Sequence, residues 1–202
     1  LKKVVPPDDV ACMLVEPIQG AAGYLVPPDE YLPALVKLCK ENNIIFVADE
    51  VQSGFCRTGK WFACEHWGVE PDIITLSKAI AAGLPCGAAV ARAELMDWEL
   101  GAHENTLGGN PVVCEAALAV LDILKVEKLN KNAERVGGYL LRRFEEIAER
   151  HEVIGDVRGK GMMIGIEFVK DRRTKEPATK LRNAVMTEAF KRGLVLLGAG
   201  QS

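Results

Sequence analysis

The order of apolar segments predicts an α/β protein, a largely parallel sheet covered by helices, followed by a small α+β unit. Three observations carry this. Four short runs, residues 10–18, 44–48, 73–76 and 87–91, are apolar on both faces, which is the pattern of strands buried between layers. Residues 29–41, between the first two runs, carry apolar side chains at helical spacing, so a helix crosses over from one strand to the next. From Pro111 onward the period becomes helical for some forty residues and then returns to short strands.

Taken in order, the run from Val10 to Ile18 breaks at Glu16-Pro17, and the helix over 29–41 presents Tyr31, Leu32, Leu35, Val36, Leu38 and Cys39. The strand from Ile44 to Ala48 ends in Asp49-Glu50, and the strand from Ile73 to Leu76 follows the turn Val69-Glu70-Pro71-Asp72. The fourth run, Gly87 to Ala91, follows Gly83-Leu84-Pro85. Val112, Val113, Ala116, Ala117, Val120, Leu121 and Leu124 fit one helix, and Val136, Leu140, Leu141, Phe144 and Ile147 a second. That helical stretch reads as a connector between domains. Strands are expected at Val153–Val157 and Met162–Val169, then a charged turn at Lys170–Lys175, a helix over Thr179–Arg192 and a last strand at Leu194–Leu197.

Composition narrows the function classes. The 202 residues are 49% hydrophobic and 26% charged, enough for one ordinary domain and a small one. The net charge of −3, from 25 basic and 28 acidic residues spread along the chain, offers no footprint for nucleic acid or an anionic membrane surface. Small molecules are the expected partners. The six cysteines form no CxxC pair, which points to reduced core thiols. The three scattered histidines have no metal-ligand spacing, so no metal is expected. His66 and His151 read as packing or surface residues, and Trp61, Trp67 and Trp98 as core or interface. No signal segment opens the chain and no apolar run approaches the roughly 20 residues of a membrane helix, so a cytoplasmic protein is expected. The chain opens at Leu1 without a methionine and stops at Ser202, and both ends are expected to be artificial.

Chemistry concentrates in three places. Asp49 stands where a buried strand runs out, at the carboxyl edge of a parallel sheet, which is where open α/β folds place ligands. Lys78 ends another apolar strand 29 positions later, an interval that holds one crossover. Taken alone, the two read more readily as a plain salt bridge. The third place is the polar turn His103 to Pro111, which opens into a helix. Its hydroxyl and N–H groups could bind phosphate, but Asn110 ahead of Pro111 is also an ordinary helix cap.

Together these segments resemble the class III aminotransferase family. Asp49-Glu50-Val51-Gln52-Ser53-Gly54-Phe55-Cys56-Arg57-Thr58-Gly59-Lys60-Trp61-Phe62-Ala63 is similar to the family signature DEVQTGxGRTGKxFA. Leu76-Ser77-Lys78-Ala79-Ile80 with Gly83-Leu84-Pro85 is similar to the segment bearing the Schiff-base lysine. Val15 to Gly20, Thr106 to Pro111 and Gly155 to Gly161 extend the resemblance over nearly the whole chain, with 4-aminobutyrate aminotransferases and archaeal amino-acid racemases the most alike.

The resemblance implies an aspartate aminotransferase-like PLP-dependent transferase of fold type I. Residues 1–125 would be part of the large cofactor-binding domain, and 126–202 a connector helix and an incomplete small domain. It implies pyridoxal 5′-phosphate (PLP) as cofactor, with Lys78 as its anchor and proton carrier and Asp49 facing the pyridine nitrogen. Val51 would lie on the ring, Gln52 would bond the phenolic oxygen, and Thr106 would reach the phosphate held by a second subunit, so that a homodimer or higher homo-oligomer follows. Glu16 would be the substrate-site acid that pairs with an arginine. The departures are Phe55-Cys56, where glycine commonly precedes the signature arginine, and Leu107 in place of an aromatic. The family's phosphate-binding turn and C-terminal arginine segment have no counterpart in these residues. Three readings follow: transamination between an amino acid or ω-amino acid and an oxo acid, racemisation on the same scaffold, or a non-catalytic remnant that does not retain PLP.

Overall fold

The computed structural model describes residues 5–201. The outermost positions of the two expected domains, residues 1–4 and 202, lie outside the described residues. Strands β1 (Cys12–Val15), β2 (Ile45–Asp49), β3 (Ile73–Leu76) and β4 (Ala88–Ala91) form one sheet in chain order. The first three run parallel and β4 returns antiparallel to β3, so the expected, largely parallel sheet is present. Helix α1 (Tyr31–Glu41) makes the β1–β2 crossover. Its Pro33 lies in the first turn, where a missing N–H costs nothing, and it buries Leu32, Val36 and Cys39 on one stripe. These pack with Ile18, Phe46 and Ala48 into the first core cluster.

The β2–β3 connection departs from the helical crossover that a parallel pair usually takes. Residues 50–72 wind through turns, with one short 3-10 segment at Ala63–Trp67. Phe55 and Cys56 both adopt left-handed backbone, φ 52° and 67°. For residues with a Cβ this costs about 1–2 kcal/mol each, which explains why glycine suits that place in the signature. Burial of both side chains in the second core cluster, with Leu76, Ile80 and Leu124, offsets the cost.

Helix α2 (Pro111–Val126) starts as a capping argument requires: the Asn110 side chain accepts from the Val112 and Val113 N–H groups at 3.0 and 3.4 Å, and Pro111 fills the first position. A left-handed Lys128 separates it from α3 (Leu129–Arg150). Strands β5 (Ile154–Lys160) and β6 (Met163–Phe168) form an antiparallel hairpin, and α4 (Thr179–Lys191) follows. The expected strand at Leu194–Leu197 is not formed. These residues are exposed, Leu197 at 88%, and have no ladder partner among the described residues. An extended apolar run becomes a strand only where a neighbour pairs with it, and just past β6 the bridge partner of Val169 is Pro177 instead.

Candidate functional site

Register brings the predicted acids together. Val15 pairs with Ala48 across β1 and β2, and Asp49 pairs with Thr75 across β2 and β3. Glu16 and Asp49 are therefore the next residues along neighbouring strands, and Lys78 stands three residues past Thr75. All three leave the carboxyl edge of the same parallel sheet, where such folds bind ligands. Asp49 is half-buried and its Oδ1 accepts from the Val51 N–H at 3.0 Å. Glu16 Oε2 accepts from the Gly20 N–H at 2.7 Å.

Lys78 is exposed and takes part in no ion pair among the described residues. The plain salt-bridge reading with Asp49 is thereby removed. Its backbone is left-handed, φ 48°, in a short 3-10 turn, Lys78–Ala81. The Ser77 hydroxyl donates to the Cys86 carbonyl at 2.7 Å and ties this strand end to the turn before β4. A strained, unpaired lysine at a sheet edge is the kind of backbone outlier that collects at reactive positions.

Gln52 Nε2 donates to the Tyr24 hydroxyl at 3.1 Å. Its Oε1 lies where Gly20 has no side chain: a Cβ there would fall 1.9 Å from Gln52 Oε1 and 3.2 Å from Glu16 Oε2. Glu16, Gly20, Tyr24 and Gln52 thus form one cluster. Thr106 is exposed in a separate turn, braced by the Leu107 N–H on Asn105 Oδ1 at 3.0 Å, and bonds to none of these residues.

The rest of the signature is structural. Glu50 is fully buried, accepting from the Ser53 hydroxyl at 2.6 Å and the Cys64 N–H at 2.8 Å, and so ties together both ends of the 50–64 loop. Burial first, and then the Glu50 carboxylate, push the Cys64 thiol up to about 12, which makes it a packing thiol rather than a nucleophile. The Thr58 hydroxyl and carbonyl both lie 3.1 Å from His66 Nε2. Burial, with Lys160 nearby, lowers the His66 pKa. Sequence reasoning assigned nothing to Glu50 or Tyr24. Ser53 three residues after Glu50 was a local signal for the first, while the second is reached only through the fold.

A hollow of about 510 Å3 at the start of α4, lined by Val153, Val169, Lys170 and residues 177–181, includes none of these site residues and no acid. Among the described residues no cluster of His, Cys, Asp and Glu could hold a metal ion, and no helix is long and apolar enough to cross a membrane.

A family model, Aminotransferase class-III, matches residues 2–202. The chain is 50% identical over 191 residues to a leucine/methionine racemase of Thermococcus litoralis, covering 94% of this chain and 43% of that protein. It is 44% identical over 200 residues to a probable 4-aminobutyrate aminotransferase of Bacillus subtilis, covering 97% and 45%. Among solved structures, an amine transaminase from an uncultivated Pseudomonas species in a PLP-bound form superposes with a TM-score of 0.93 at 37% identity, over 98% of this chain and 48% of that one. The chain therefore spans less than half the length of the relatives it matches.

Proposed function

The chain belongs to the class III aminotransferase family, and from that premise we propose that the protein is a PLP-dependent aminotransferase moving an amino group between an amino acid or ω-amino acid and an oxo acid. The observation that carries this is the meeting of Glu16, Asp49 and an unpaired Lys78 at one sheet edge. The donor set suits the cofactor: a free amine, a half-buried carboxylate with one oxygen uncommitted among the described residues, and a side-chain amide lying against a glycine. When bound, PLP supplies the electron sink for negative charge at the substrate Cα.

Each residue then has a task. Lys78 Nζ would hold the cofactor covalently and, as a free amine, would serve as the base that takes up and returns the substrate Cα proton. Asp49 would supply the negative charge that favours a protonated pyridine nitrogen. Val51 would pack on the ring, and Gln52 would offer its second amide proton to the phenolic oxygen. Glu16 pairs with an arginine that binds substrate carboxylate. Thr106, exposed on its own turn, would serve the phosphate of a second subunit's cofactor, and the active species would then be a homodimer or larger. Residues 1–125 are the cofactor-binding part and 126–202 the connector and small domain. A cytoplasmic location belongs to the same reading.

The test is an absorbance spectrum of the purified chain with added PLP, beside Lys78→Ala. A visible band that borohydride removes is expected in the parent and not in the variant; no band in either protein would overturn the reading and leave a chain that folds without retaining PLP. Gly20→Ala offers a second check. Because the crowded atom is the end of a flexible side chain, the melting temperature should hardly change. Displaced Gln52 should weaken PLP binding tenfold or more, about the value of a hydrogen bond to a charged group, as read by fluorescence titration.

The 50% identity to a racemase supports a second reading, proton return to Cα from the opposite face. Inversion of an amino acid with no oxo acid present would favour it. Consumption of the amino donor only when an oxo acid is supplied would favour transfer.

A further inference from the structure

Arg158 projects from the middle of β5, only 17% exposed, and reaches across to a loop 135 residues earlier. Its Nε and Nη2 both donate to the Gly23 carbonyl, at 3.0 and 2.7 Å. Its Nη1 is held by Asp156 Oδ2 and Glu167 Oε2, each at 2.7 Å. Asp156 and Glu167 are register partners across the hairpin, and so are Arg158 and Gly165. Gly165 completes the seat, since a Cβ there would stand 2.9 Å from the Gly23 carbonyl oxygen. Two alternate rungs of one hairpin, with the Val157–Ile166 rung between them, thus build a socket for a single peptide group. The next residue is Tyr24, in left-handed backbone at φ 55°, whose hydroxyl accepts from Gln52 Nε2.

We propose that Arg158 and Tyr24 are positioning residues, through which the β5–β6 hairpin sets the orientation of the Gln52 amide at the cofactor edge. The chemistry requires such a device. A glutamine amide presents either its NH2 or its oxygen after a half-turn, and only the NH2 suits an anionic oxygen. With one amide proton given to the Tyr24 hydroxyl, the second is free to face the site and Oε1 is turned toward Gly20. The left-handed tyrosine is costly, and the doubly bonded Gly23 carbonyl is what holds the loop in that conformation. The role of Gln52 toward PLP rests on the function proposed above; the linkage of Arg158, Gly23, Tyr24 and Gln52 does not.

The experiment uses the intact chain and the variants Tyr24→Phe, Arg158→Lys and their combination. Lysine keeps the positive charge beside Asp156 and Glu167 but cannot place two N–H groups on one carbonyl. Without PLP, exchange of the Gln52 side-chain amide protons, followed by NMR, should be roughly three- to tenfold faster in each single variant. In the double variant it should be no faster than in the quicker single, because both changes cut the same chain. With PLP, the pH midpoint of the visible band should move upward in each, an anionic oxygen having lost a well-aimed donor. Gly165→Ala, which displaces Gly23 without touching the arginine, should reproduce the exchange result should Arg158→Lys fold poorly. Exchange unchanged in Tyr24→Phe, or effects that simply add in the double variant, would overturn the proposal. If the parent shows no lysine-dependent band, the function falls while amide exchange still decides the linkage. If the band is present with the same midpoint in all proteins, the function stands and the positioning role falls.

Discussion

Asparagine in place of Asp49 is expected to leave the fold and the visible cofactor band intact while slowing removal of the substrate proton by roughly 10²- to 10³-fold, the usual effect of losing one preorganised electrostatic group. The geometry makes this a clean substitution. The one side-chain hydrogen bond that Asp49 makes among the described residues, accepting the Val51 N–H at 3.0 Å through Oδ1, is available to an asparagine carbonyl, so the turn from β2 into the signature loop should keep its shape. What disappears is the negative charge at the sheet edge. If Asp49 faces the ring as proposed, the pyridine nitrogen should then be less readily protonated and negative charge at the substrate Cα less well stabilised. Single-turnover absorbance with an amino donor measures the step directly, with a thermal melt beside it. A rate within threefold of the parent would mean that Asp49 does not face the ring nitrogen.

Gly137→Ala is expected to cost about 3 kcal/mol, at the upper end of overpacking penalties, and to lower the melting temperature by roughly 6–12 °C for a chain of this size. A Cβ on Gly137 would stand 1.9 Å from the Gly161 carbonyl oxygen, so backbone rather than a side-chain tip would have to move. Gly161 cannot retreat. Its own missing Cβ would fall 2.4 Å from the Thr58 backbone, and the Met162 N–H donates to the Arg57 carbonyl at 2.9 Å. Helix α3, the β5–β6 turn and the signature loop are therefore stacked backbone on backbone, and one methyl group forces all three apart. The control is its neighbour: a Cβ on Gly138 meets only Arg142 Nη1 at 3.7 Å. Gly138→Ala should be neutral or stabilise by about 0.5–1 kcal/mol, as alanine replaces glycine in a helix. Equal melting temperatures for the two variants would sink the argument.

Much of this protein was legible in local pattern. Strand and helix order, the Asn110-Pro111 start of α2 and the arrival of Asp49 and Lys78 at strand ends all follow from periodicity and capping chemistry, which act over a few residues and are written in consecutive letters. The family resemblance rests on the same local runs, and the agreement of fold and family shows how much such runs hold. The tertiary structure decided what depends on partners distant along the chain. Parallel register, not spacing, put Glu16 beside Asp49. Leu194–Leu197 had a strand's composition but, among the described residues, no neighbour to pair with. Arg57-Thr58-Gly59 lie in the signature run, and they dock on the Gly161 turn and against α3 because glycines there allow backbones to approach. Arg158 looked like one charge in a glycine-rich run, and only the fold delivered Gly23 to it. A hydrogen bond or a van der Waals gap across 135 residues leaves no periodic trace in the sequence, because the pattern that encodes each partner is local while their meeting is set by how the sheets and helices pack.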